Sequence, residues 1–453
     1  MKKVFILLTG FFGALGAYAQ EQDSTEVSYK KRVLDATEVD FLFSYYKQDG
    51  IHSAVEGGQG TEKLTDVTPT IIVSMPLNDD DVLTADLGVS AYSSASSGNI
   101  NPFDSKNPSP WQASSGASAS DQLTALVLTY SHSSDDRNTI WNAHISGSTE
   151  YDYHSLGFGG GYTRLFNDKN TELTISGNAY LDQWMPIYPK ELQQWKDNGN
   201  STFGGFYGAF DITDAPNGGN IVTGYNPEKF KFHSNKNRNS FSLSLSFSQV
   251  VNKRMQFSLF LDVLQQQGLL STPYQRIYFA DKADYYISQF RLADDIERLP
   301  GTRFKLPIGA RLNYYVNQNL VIRSYYRYYT DDWGITAHTA NIELPVKLND
   351  RFTVYPMYRY YTQTASKYFA PFETHLSSET YYTSDYDLSK FNASQYGAGF
   401  TYTDIFTSMH IWSLGIKNID VRYNHYDRSD GLHSDIVSFA VKFVMDDKKK
   451  KKN

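Results

Sequence analysis

The segment Phe241-Ser242-Leu243-Ser244-Leu245-Ser246-Phe247-Ser248 alternates apolar and polar residues with a strict period of two. That period places one residue class on each face of a β-strand. From about Glu38 onward the chain repeats the pattern in segments of roughly ten residues, separated by very short turns or long polar loops. Repeated along the chain, the pattern points to a closed sheet with unlike faces.

The N-terminus addresses the chain for export. Lys2 and Lys3 precede an apolar run at 4–16, and Ala17-Tyr18-Ala19 before Gln20 has the form of a signal-peptidase site. The expected organisation is a signal peptide at 1–19, a short periplasmic lead at 20–37, a barrel at 38–445 and a polar lysine-rich tail at 446–453. The chain has no cysteine, which excludes a lipoprotein anchor, disulfides and thiolate chemistry.

No later stretch approaches the roughly 20 apolar residues of a helical span. Only helices and closed sheets satisfy their backbone groups in lipid. A mean hydropathy of -0.47 suits a barrel, in which half of each strand faces water. Loss of Lys2 and Lys3 moves the net charge from -7 to -9, which disfavours a nucleic-acid partner. The 35 tyrosines and 28 phenylalanines fit aromatic girdles at two membrane interfaces, with Trp141, Trp184 and Trp333 at strand ends.

Counting segments predicts an all-β fold: a single transmembrane antiparallel barrel of about sixteen strands. Its short turns are periplasmic and its long loops extracellular. Every long polar loop keeps to one side. The short lead leaves no room for a plug domain. One stretch, 404–418, is too apolar for an ordinary turn and reads as a short helix or extra strand length. A soluble secreted all-β protein is the competing fold, but it leaves the one-sided loops unexplained.

With the apolar set assigned to lipid, the polar set faces the lumen. The lumen candidates are Arg311, Arg323, Arg327, Arg359, Arg422 and Glu343 from the later strands, with Asp40, Asp86 and Asp262 from the earlier ones. An arginine-rich wall facing a more acidic one is the expected arrangement, and it would orient polar solutes. For these particular residues the favoured role is structural: they pair and fill the interior, Tyr stacking on Arg, while a barrel of this strand number can still leave an aqueous channel.

No Ser, His and carboxylate set is recognisable from spacing, and Asp79-Asp80-Asp81 lacks calcium-loop spacing, so no catalytic residue, metal or cofactor is expected. The expected partners are outer-membrane lipid, small polar solutes and envelope proteins of unknown kind.

Several loop words carry a family resemblance. They are Ser93-Ser94-Ala95-Ser96-Ser97, Trp111-Gln112-Ala113-Ser114-Ser115-Gly116-Ala117-Ser118 with Asp121, and Glu297-Arg298-Leu299-Pro300 with Lys305-Leu306-Pro307. Tyr355-Pro356-Met357-Tyr358-Arg359-Tyr360-Tyr361-Thr362-Gln363 and Tyr381-Tyr382-Thr383-Ser384-Asp385-Tyr386-Asp387-Leu388 complete the set. The chain resembles the domain of unknown function 3570 family, uncharacterised bacterial barrels of Bacteroidetes type. Ala119 departs from the basic residue often found there. The resemblance implies an outer-membrane barrel of Gram-negative bacteria and supplies no activity or catalytic residue. Members are often encoded near flavin-attaching and thioredoxin-like proteins, which implies an envelope redox link.

Small residues permit tight backbone packing. Trp111, Ser115, Gly116, Ala117 and Ser118 are therefore expected to let the 93–121 loop pack at the barrel mouth. The leading functional expectation is a porin-like or loop-gated passage for polar solutes. The alternatives are a non-conducting scaffold or surface-binding component of an envelope complex, with the loop at 182–238 as the binding element, and an outer-membrane enzyme.

Overall fold

Sixteen antiparallel strands close into one barrel. A computed structural model describes residues 32–95 and 120–445. The signal-peptide reading, most of the lead, the lysine tail, and the packing expected of Trp111, Ser115, Gly116, Ala117 and Ser118 lie outside the described residues.

The strands are β1 (Glu38–Asp49), β2 (Leu64–Pro76), β3 (Asp81–Ser94), β4 (Ser120–Ser133), β5 (Thr139–Thr149), β6 (Tyr153–Phe166), β7 (Thr171–Trp184) and β8 (Arg238–Asn252). They continue as β9 (Met255–Gly268), β10 (Thr302–Tyr315), β11 (Val321–Asp331), β12 (Thr336–Glu343), β13 (Phe352–Gln363), β14 (Phe391–Thr403), β15 (Leu414–Arg428) and β16 (His433–Met445). Each pairs with its sequence neighbour, and β16 closes on β1 from Glu38↔Val444 to Asp49↔His433. Closure leaves no sheet edge.

The alternation sorts the faces as expected. On β8, Phe241, Leu243 and Leu245 are exposed outward, while Ser248 bonds Ser258 across the inner face at 2.7 Å. Leu126, Leu128, Ile145, Phe158 and Leu259 belong to the same exposed apolar surface. An outward apolar band around a closed barrel is the lipid contact of a transmembrane barrel. Among the described residues no helix is long and apolar enough to cross a membrane.

The long loops keep to one end, and the other end has tight turns such as 167–170 and 253–254. The doubtful stretch 404–418 is extra strand length. Its hairpin is held by His410-Ile411 pairing with Leu414-Gly415; Trp412 at its tip and Phe406 on the preceding turn are exposed.

The long loops are not merely polar. Segments 50–63, 185–237, 269–301 and 364–390 fold together into a cap with its own apolar core. A short helix, α1 (Lys190–Asp197), starts directly after Pro189 and buries Leu192 and Trp195, three residues apart on one face. These pack with Phe230, Tyr278, Ile287 and Ile296, and Phe372 closes over them. Two girdle expectations are corrected here. Trp184 and Trp333 are only 7% and 3% exposed because the cap covers them, whereas Trp141, at 41%, is on the open apolar surface.

Candidate functional site

Five of the sequence-predicted lumen residues meet in one cavity of about 680 Å³ inside the barrel: Arg311, Arg323, Arg359, Arg422 and Glu343. Register explains the meeting. Arg311, Tyr325, Asn341, Arg359 and Gln395 are successive cross-strand partners from β10 to β14, so their side chains share one face and one row.

In the adjoining row Arg323 pairs directly with Glu343, and Nη1 lies 2.9 Å from Oε1. The other carboxylate oxygen of Glu343 is 3.9 Å from Arg422. Arg422 sits over the Tyr355 ring at 4.8 Å. Tyr355 reaches it across Gly399, where a Cβ would stand 2.0 Å from the ring, so only glycine fits under the tyrosine. Tyr355 also donates to Asp420, which accepts from Thr401 at 2.6 Å.

Arg311 is framed by the rings of Phe260 and Tyr325 at 5.5 and 5.9 Å. Neither Arg311 nor Arg359 has an ion-pair partner among the described residues, and both are exposed to the lumen. The cavity wall thus carries four guanidinium groups against one carboxylate. Arg327 stands apart from it, in the row of Gly309, Thr339 and Tyr361 toward the capped end.

The expected acidic wall is corrected only at Asp262. Asp40 and Asp86 share a row through Ile72; Lys442 is shared between Glu38 at 2.7 Å and Asp40 at 3.3 Å, and Asp86 has no ion pair among the described residues. Asp262 lies on β9, beside the arginine wall and not opposite it. Across the ring from the arginine strands, Asp86 on β3 stands beside hydroxyl, amide and glycine groups such as Asn142 and Gly161, and Asn178, Ser244 and Ser246 continue that surface round toward β9. Lys442 was legible in the alternation of β16, where Val441 and Phe443 flank it on the outer face.

At the capped rim, Asp121, Glu150 and Asp152 bring carboxylate oxygens within 4.8 Å of one another. Tyr92 donates to Glu150, and Trp184 Nε1 donates to Asp152 at 3.1 Å. Glu150 and Asp152 are therefore already engaged in holding the rim, and Asp121 accepts from the Gln122 backbone N–H at 2.7 Å.

The cap crosses the mouth. Val55, between β1 and β2, packs on Ile187 and Tyr274, and its carbonyl accepts from Arg276, between β9 and β10 on the far side of the ring, at 3.1 Å. His52 stacks on Tyr386 with centroids 3.7 Å apart. Gln363, at the end of β13, donates to the carbonyls of Asp387 and Ser389 at 2.9 and 2.6 Å.

The family-like loop words meet here. Arg298 bridges Tyr382, Thr383 bonds Glu297 at 2.5 Å, and Tyr382 bonds Asp295 at 2.5 Å. Sequence reading singled out these words without their partners, because the contacts join segments over eighty residues apart. Burial pushes the Glu297 carboxyl up to about 8, with Asp385 adding repulsion. Asp385 and Asp294 are likewise pushed up, each to about 6 and chiefly by burial.

Solved structures with a similar outline include "Bacterial polysaccharide outer membrane secretin", at 11% identity and TM-score 0.43, covering 91% of this chain and 99% of that one. A BenF-like porin from Pseudomonas fluorescens Pf-5 aligns at 8% identity and TM-score 0.37, over 91% of this chain and 100% of that one. OccK2 (OpdF) of Pseudomonas aeruginosa aligns at 7% and TM-score 0.37, over 90% and 97%. At such scores the barrel assignment rests on this chain's own register and closure. No curated protein matches the chain. The residues 12–432 match the family described as "Protein of unknown function (DUF3570)", and the chain belongs to that family.

Proposed function

We propose that the protein is an outer-membrane passage for polar solutes whose outer mouth is governed by the folded cap. The observation that carries this is the closed barrel with an apolar outer band and a polar lumen containing a cavity of about 680 Å³. A barrel of this strand number is wide enough to hold an aqueous channel. The short turns then face the periplasm and the cap faces outward. The reading assigns no catalytic step; His132, His375 and His425 meet carboxylates, and His338 meets Tyr326.

The test is reconstitution of the purified, folded protein into a planar bilayer. Stepwise current that rises when the cap is loosened supports the passage. A second reading, a non-conducting scaffold that presents the cap to an envelope partner, is favoured by the cap's bridging of the mouth. Absence of current both from the native protein and from a cap-loosened variant would sink the passage and leave the scaffold.

A further inference from the structure

The polar groups of the lumen are unequally satisfied. Arg323 is committed to Glu343, and Arg422 is shared between Glu343 and the Tyr355 ring. Arg311 and Arg359 have neither kind of commitment to a carboxylate among the described residues, yet they stand in the same cross-strand row. Asn341 sits between them in that row and Gln395 follows, both bearing amide groups able to donate. Phe260 and Tyr325 frame Arg311 through ring faces, contacts that leave the N–H edge of the guanidinium unspent.

We propose that this row is a binding site for a small organic carboxylate. The carboxylate is held by Arg311 and Arg359, with Asn341 supplying further donation. Two guanidinium forks match the planar oxygen pair of a carboxylate. Tyr325 and Met357, also on the cavity wall, offer surface to a carbon skeleton, which an inorganic anion lacks. The net positive wall raises the local concentration of anions in the lumen, and Arg327 extends it toward the capped end. The nearest acids do not cancel this. Glu343 is held by Arg323, Asp420 is held by Tyr355 and Thr401, and Asp262 lies on the adjacent strand, displaced from the Arg311 row toward the capped end. The site rests on the passage reading only for how the solute arrives.

The test uses the full mature chain, reconstituted, with succinate as the probe. A potassium chloride gradient should give a reversal potential of anion preference, and succinate should block the chloride current. Arg311→Gln/Arg359→Gln should weaken the block by about tenfold or more, the scale expected for losing charge-assisted bonds. It should also move the reversal potential toward cations. Arg254→Gln, on a tight turn at the uncapped end, should leave both unchanged. Equal block in native and double-variant protein, or block by inorganic phosphate without block by succinate, overturns the site. If no current flows from this protein or from the cap-loosened variant, the passage reading fails, and calorimetry of succinate with folded, detergent-solubilised protein judges the site alone. Heat lost in the double variant then supports it, and no heat from the native protein overturns it.

Discussion

Arg276 and Glu191 form a bidentate ion pair, Nε to Oε1 at 2.7 Å and Nη2 to Oε2 at 3.1 Å, with both side chains wholly buried in the cap. The pair joins α1 of the 185–237 segment to the 269–301 segment, and Arg276 extends the tie to Val55. Taking two charges out of water is costly, so the pair holds only because each group keeps its partner. It makes the cap a specific structure and not a collapsed set of loops.

Glu191→Gln should therefore destabilise the cap by about 3–5 kcal/mol, the usual cost of leaving one buried charge unpaired. The barrel should be spared, since its ladders do not pass through Glu191. Hydrogen exchange should show faster exchange at 190–197 and 276–296 and unchanged protection in β1 to β16. Replacing both charges, Glu191→Leu with Arg276→Met, should recover part of the loss.

Cap stability should fall as pH rises. Exposed Glu releases its proton near 4.5, whereas buried Glu297 keeps its own to about 8. Between those values the folded cap binds the extra proton, so each rise in pH favours unfolding. The contribution is fully present below about 4.5 and lost by about 8. Asp385 and Asp294 act in the same direction between 3.8 and about 6. Protease nicking within the cap, followed from pH 5 to 8.5, should increase with pH. Glu297→Gln should flatten the upper part of that rise; an unchanged profile would discount Glu297 as the cause.

Arg428 is a clamp between barrel and cap. It bonds Asp387 and Asp430 at 2.5 Å each and the carbonyl of Tyr386 at 2.8 Å, and lies over the Phe391 ring at 3.9 Å. Arg428→Ala should free the 364–390 segment at one attachment. In single-channel recordings it should lengthen open periods without altering ion preference, because Arg428 is not part of the cavity wall.

Gly399→Val should disturb the cavity from a distance. Its side chain would enter the space of the Tyr355 ring, pushing Tyr355 off Arg422 and Asp420. Overpacking of this kind costs about 1–3 kcal/mol. The midpoint of heat-induced barrel unfolding should drop, and the companion Gly399→Val/Tyr355→Ser should regain much of it.

Gly399 also shows how far local pattern reaches. Its place on an inward-facing row is legible from alternation along β14. The ring of Tyr355 lying over it required the register of β13 against β14. The lumen arginines follow the same logic: Arg311, Arg323, Arg359 and Arg422 are inward by parity alone. Their sharing of one cavity depends on strand tilt and pairing. Asp262 is a different case: β10 follows β9 in the chain as in the ring, so its place beside the arginines is legible in the sequence, and grouping it with the far wall overlooks that order.

The alternation by itself determined the strand number, the end on which the long loops lie and the side to which each strand residue turns. A period of two is enough for that, because every second side chain must leave the same face. Only the tertiary structure decided that the loops form a cap, that Trp333 and Trp184 lie beneath it, and that Glu191 meets Arg276. Those contacts join irregular segments far apart in the chain, where backbone direction follows no repeat. Buried charge there is tolerated only when distant partners arrive together.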